Sequence, residues 1–190
     1  MSIPSLCVID DEIPVARFDF DDFSLINNPT LKFIITQEKE WNAPDLKELM
    51  EKIIENNDKW IVSGFTNPEF YLNFIETDIY KPDIIILDWD FPGLTPGRIK
   101  EILLQILDNS FSLVYIYTKA DKDCAIETML NSKEYEVYKN RVSIMHKGGS
   151  DSVESLINSV DNNYKTSFSF KFSREPRKQS LDAIDRILVE

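Results

Sequence analysis

Apolar positions fall into two kinds of segment, and the two alternate along the chain. Short continuous runs occur at Ser5-Leu-Cys-Val-Ile9, Trp60-Ile-Val-Ser-Gly-Phe65, Asp83-Ile-Ile-Ile-Leu87, Leu113-Val-Tyr-Ile-Tyr117 and Val142-Ser-Ile-Met-His146. Such runs suit central strands of a parallel sheet, where both faces are covered. Between them the apolar period becomes helical. Residues 45–57 carry Leu46, Leu49, Met50, Ile53 and Ile54 at i, i+3, i+4 spacing behind Pro44. Residues 68–79 open on a proline after Thr66-Asn67, a favourable helix start. Residues 97–108 place Ile99, Ile102, Leu103, Ile106 and Leu107 on one stripe, and residues 122–131 read as a shorter helix. Residues 151–163 carry Val153, Leu156, Ile157 and Val160, with Asp151 in the first turn.

Strand alternating with helix predicts an α/β fold: a doubly wound five-stranded parallel sheet with helices on both faces. Two segments break the alternation. Residues 13–43 are too long for a βα loop and read as an insertion between the first strand and the first helix. Residues 164–190 read as a C-terminal extension to a domain spanning 1–163. Within it, Phe168, Phe170 and Phe172 alternate with polar neighbours over 164–173 in a strand pattern, and a basic stretch with Pro176 resembles a linker. The tail leads either to an output domain beyond residue 190 or to a dimerisation element. An exposed phenylalanine row would make a homodimer contact.

In open parallel sheets, ligands bind beyond the C-terminal strand ends. Those ends carry Asp10-Asp11, Asp88, Thr118 and Lys147. Carboxylates brought that close cannot all stay ionised in a poorly solvated cleft without a cation. Mg²⁺ is the natural choice, because it takes carboxylate, carbonyl and water oxygens. An aspartate can also attack phosphorus as a nucleophile. A lysine and a hydroxyl would then compensate charge on the transferring oxygens, and Lys147 and Thr118 are of the right types.

Charge and composition narrow the field. Asp+Glu number 33 against 21 Lys+Arg, for a formal net charge of -12. That field repels phosphate backbones and anionic lipids, so neither nucleic acid nor a membrane surface is an expected partner. Two distant cysteines and one histidine, His146, fit no zinc site, disulfide framework or histidine-based triad. The N-terminal stretch lacks a basic start and a long apolar run, and no apolar run reaches the ~20 residues of a membrane span. A cytoplasmic location is expected.

The stretches Val8-Ile-Asp-Asp-Glu12, Ile86-Leu-Asp-Trp-Asp-Phe-Pro-Gly93, Tyr115-Ile-Tyr-Thr118 and Ile144-Met-His-Lys147 resemble the motifs of response-regulator receiver domains. The resemblance covers roughly residues 5–163 without the insertion. It implies a receiver-like fold and a place in two-component signalling, with a sensor histidine kinase or phosphotransfer protein as partner. It implies that Asp10 and Asp11 hold Mg²⁺, that Asp88 accepts the phosphoryl group, and that the main-chain carbonyl of Asp90 completes the metal shell. Thr118 would hydrogen-bond the phosphoryl group and Lys147 would pair with one of its oxygens. Such a domain is no enzyme beyond phosphorylating itself and slowly releasing the phosphate. Two positions depart from the family pattern: Gly148-Gly149 follows the lysine where proline is usual, and Ile144 stands where an aromatic switch residue is common.

Two other readings compete. The departures favour a pseudo-receiver that docks or dimerises without phosphorylation. Asp88-Trp89-Asp90 also satisfies the Asp-x-Asp signature of haloacid-dehalogenase-like phosphatases, although that signature normally ends the first strand of the domain. The bland alternatives are simple as well. An aspartate at a strand end can be a helix cap, a lone lysine is usually solvated, Trp89 next to Asp88 packs or covers the site, and an acidic surface is common in soluble proteins.

Overall fold

The computed structural model describes residues 4–13, 43–56, 60–76, 81–119, 123–147 and 153–166. The expected strands are β1 (Ser5–Ile9), β2 (Ile61–Phe65), β3 (Ile84–Asp88), β4 (Leu113–Thr118) and β5 (Val142–His146). The helices are α1 (Pro44–Glu55), α2 (Pro68–Glu76), α3 (Pro96–Asn109), α4 (Asp123–Leu130) and α5 (Val153–Thr166), with a 3₁₀ turn at Glu136–Tyr138. All strand pairs are parallel, in the order β2-β1-β3-β4-β5. This is the flavodoxin-like doubly wound order, whose switch point lies between β1 and β3.

Burial follows the order. The inner strands β3 and β4 are buried at every residue, whereas the edge strands β2 and β5 are only partly covered. Residues alternate between two cores. Leu6, Val8, Ile84, Ile86 and Tyr115 face α1 and α5, which contribute Leu46, Leu49, Met50, Ile53, Leu156 and Val160. Cys7, Ile9, Ile85, Leu87, Val114 and Ile116 face α2, α3 and α4 through Tyr71, Ile75, Ile102, Leu103, Ile106 and Ile126. The helical stripes read from the sequence are thus the packed faces.

Polar links fix the layers against one another. At the N-terminal strand ends, the Ser5 N–H donates to Asp83 Oδ2 at 2.8 Å and the Asp83 N–H donates to Ser5 Oγ at 2.9 Å, setting β1 beside β3. The Tyr115 hydroxyl donates to Ser159 O and accepts from Asn163 Nδ2, tying β4 to α5. Arg141, just before β5, donates to Leu107 O and Ser110 O at 2.6 Å each, which satisfies carbonyls at the end of α3. Its guanidinium also lies 5.2 Å from the centre of the Tyr138 ring.

The tail departs from expectation at its start. Residues 164–166 belong to α5 and not to a strand. The reason is periodicity: Tyr164 falls four residues after Val160 and packs against the same core. The remainder of the extension (167–190), with Phe168, Phe170 and Phe172, lies outside the described residues, as do residues 14–42 of the insertion, Gly148-Gly149 and Asp151.

Arg141→Ala should lower stability by about 1.5–3 kcal/mol, because two charge-assisted bonds and a packed stem are lost together. The exposed Lys52→Ala should change it by no more than about 0.5 kcal/mol. Urea denaturation of both variants checks this, and equal stabilities would contradict the clamp.

Candidate functional site

Asp10 is the first residue past β1, and its N–H donates to Phe65 O at 3.0 Å, which keeps it in line with the sheet. Its Oδ1 accepts from the Glu12 N–H at 2.9 Å, folding the following turn back on itself. Asp88 is the last residue of β3. Its Oδ1 accepts from the Trp89 N–H at 2.7 Å and from the Asp90 N–H at 3.4 Å. The register pairs Ile9 with Leu87, so the two aspartates stand side by side at the switch point.

Lys147 closes the arrangement from β5. Its N–H donates to Thr118 O at 2.7 Å, and its ammonium lies 2.9 Å from Asp10 Oδ2 and 3.0 Å from Asp88 Oδ2. The side chains of Lys147, Asp10 and Asp88 are 5%, 2% and 5% exposed. The ammonium also sits 5.5 Å from the Tyr117 ring centre. Burial alone would lower the pKa of Lys147, but the charges of Asp10 and Asp88 reverse this and raise it, so the lysine stays cationic.

One ammonium does not balance the carboxylates. Asp10, Asp11 and Asp88 bring oxygens within 4.8 Å of one another. Burial, followed by repulsion from Asp10, raises the Asp88 pKa to about 6 in spite of Lys147. Burial and then Asp10 also raise Asp11. The site is therefore short of positive charge. Its hard oxygen donors and this deficit fit a divalent cation such as Mg²⁺.

The cleft above these residues measures about 360 Å³. Asp11, Glu12, Asp88 and Asp90 supply its carboxylates, Lys119 and Lys147 its cations, and Phe91 and Pro92 an apolar rim. The rim is shaped by a turn in which the Leu94 N–H donates to Phe91 O at 3.1 Å. Pro92 and Gly93 occupy its centre, and Gly93 has φ +83°, a conformation costly for any residue with a Cβ. Thr95 then caps α3 by accepting from the Arg98 N–H, with Pro96 in the first turn.

The strand-end residues singled out in the sequence thus gather at one end of the sheet, with Thr118 set apart. Thr118 is fully buried, does not line the cleft, and shares the alternation of Val114 and Ile116 toward the α2–α4 face. Its hydroxyl has no hydrogen-bond partner among the described residues. Trp89 is a packing residue, buried in the core of that same face. Lys119 and Glu12 were not among the residues selected from the sequence. Lys119 was detectable there, being the first residue beyond a strand end.

The Asp88 shift has a consequence for stability without metal. Below the ordinary value of 3.8 the carboxyl is protonated in both states. As pH rises toward about 6 the unfolded chain releases its proton first, the native state binds more protons, and stability falls. Above about 6 the full penalty applies, on the order of 3 kcal/mol. Asp88→Asn carries no such term. In chelator, its stability relative to wild type should therefore rise by about 2–3 kcal/mol between about pH 4 and pH 7.5. Denaturation curves at the two pH values test this, and a constant difference would contradict the shift.

No family model matches the chain, and no curated protein matches it. Among solved structures it is similar to the receiver domain of a Francisella response regulator, with 21% identity over 85% of this chain and 97% of that one and a TM-score of 0.48. It is also similar to a signal receiver domain from Vibrio parahaemolyticus, from a protein described as a Luxo repressor, with 15% identity over 90% of this chain and 95% of that one and a TM-score of 0.48.

Proposed function

We propose that this chain is a phospho-acceptor domain of the receiver type, taking a phosphoryl group on Asp88. The observation that carries this reading is the three-residue junction at the switch point: Asp88 at the end of β3, Asp10 beside it, and one buried ammonium 2.9 and 3.0 Å from the two carboxylates. A nucleophilic carboxylate held next to a cation that can follow the incoming charge suits phosphoryl transfer.

In the proposed step an Asp88 oxygen attacks the phosphorus of a donor phosphohistidine or small phosphodonor. The new Oδ–P bond forms as the donor's P–N or P–O bond breaks, and its electron pair leaves with the donor. Asp88 reacts as the carboxylate, so its pKa of about 6 leaves it mostly ionised near neutral pH. Lys147 can move its ammonium from the carboxylate toward a phosphoryl oxygen over a short distance. Asp10, Asp11, Asp88 and the Asp90 carbonyl would hold Mg²⁺, which supplies charge compensation for the phosphoryl oxygens. Hydrolysis by water would reset the site. The added charge would bias the surface formed by α4 and β5, and the Thr118 hydroxyl, unpartnered among the described residues, would turn to hydrogen-bond the phosphoryl group. Upstream, a sensor histidine kinase or phosphotransfer protein would act as donor.

A phosphorylation-independent docking module is the second reading. The closed Lys147 bridge favours it, because that bridge satisfies much of the site without any phosphate. The phosphatase reading loses support from the topology, since Asp88 ends β3, the third strand in chain order, while the first strand, β1, ends at Ile9 just before Asp10.

Intact mass after exposure to acetyl phosphate and Mg²⁺ distinguishes these readings. Wild type should gain one phosphoryl group, and chelator or Asp88→Asn should abolish the gain. Asp11→Asn should slow it by about tenfold or more. No gain in wild type leaves the docking module, and turnover of a phosphomonoester would point to the phosphatase.

A further inference from the structure

Among the described residues two cations line the cleft, and they differ in kind. Lys147 is committed to Asp10 and Asp88 and is nearly buried. Lys119 is exposed and forms no ion pair among the described residues. It is nonetheless well anchored at its backbone. The peptide unit joining Thr118 to Lys119 is pinned where Thr118 O accepts the Lys147 N–H at 2.7 Å. The start of the Lys119 side chain is therefore fixed at the same sheet end as Asp88, and the residue lines the cleft.

The electrostatics give that ammonium a task. Asp11, Glu12, Asp88 and Asp90 line the same cleft, on a chain with formal net charge -12. These carboxylates repel an anionic donor as it nears the cleft, and a positive charge at the mouth offsets that repulsion before the donor reaches the metal and Lys147. A cleft of about 360 Å³ has room for a small molecule of that kind. We propose that Lys119 is a donor-binding residue, whose ammonium captures the phosphate group of a small anionic phosphodonor at the cleft mouth and holds it over Asp88. This inference rests on the acceptor reading above. It adds a specificity: small phosphate anions are selected over less charged donors by a residue distinct from Lys147.

The test compares wild type with Lys119→Ala, Lys119→Glu and Lys119→Arg, each with Mg²⁺ and with acetyl phosphate as donor. As an Asp88 oxygen bonds to phosphorus, the donor's P–O bond breaks and acetate leaves. At low salt, Lys119→Ala should slow uptake at subsaturating donor by about three- to tenfold, and Lys119→Glu should slow it further. Lys119→Arg should restore most of the rate. The differences should shrink as salt is raised, which a purely structural role would not produce. Equal rates for wild type, Lys119→Ala and Lys119→Glu at low salt would overturn the proposal. If wild type takes up no phosphoryl group, the acceptor reading fails by itself, and binding of inorganic phosphate in the presence of Mg²⁺ then decides the role of Lys119. Weaker binding by Lys119→Ala would support capture, whereas equal binding, or none by wild type, would overturn it. Thermal melts of the variants verify that the fold is retained.

Discussion

The ammonium of Lys147, held between Asp10 and Asp88, is the interaction on which the site depends. Parallel strands of an open sheet place their C-terminal residues side by side, and here that geometry puts two nearly buried carboxylates on neighbouring strands. Without a cation the pair would be strongly unfavourable, since like charges at this spacing resist ionisation. The lysine comes from the far edge of the sheet, two strands away from Asp88, and is positioned by its own backbone bond to β4. Strand order, register and site chemistry are thus one constraint. Moving β5 by a single residue would carry Lys147 to the other face of the sheet.

Much of this was legible in the sequence. The five apolar runs coincide with the five strands, and the helical stripes at Leu46 through Ile53 and Ile99 through Leu107 are buried as their spacing implied. Signals of that kind are local, because each reports burial of its own residues. Asp10, Asp11, Asp88 and Lys147 could be named because the rule for strand ends converts a local pattern into a spatial one.

Other features were not legible, for physical reasons. The alternation around residue 164 favoured a strand, but a helix continues wherever its stripe still finds a core, and Tyr164 finds one beside α5. Thr118 sits at a strand end of the right type, yet which face its side chain takes depends on register with Asp88, and that is set by pairing across the sheet. The different surroundings of Lys147 and Lys119 were equally hidden. One is buried between carboxylates and the other is exposed at the rim, a difference created by tertiary packing alone. The Arg141 clamp joins residues more than thirty positions apart and leaves no local pattern.

The central claim is that Asp88 itself becomes the acyl phosphate. The most direct measurement is chemical trapping: protein treated with acetyl phosphate and Mg²⁺ is reduced with borohydride, which converts a phosphorylated aspartate to homoserine, and its peptides are mapped by mass. The account predicts homoserine at position 88 and an unmodified carboxylate at Asp10, Asp11 and Asp90. Modification at one of those neighbours, or an unmodified peptide at every position, would contradict it.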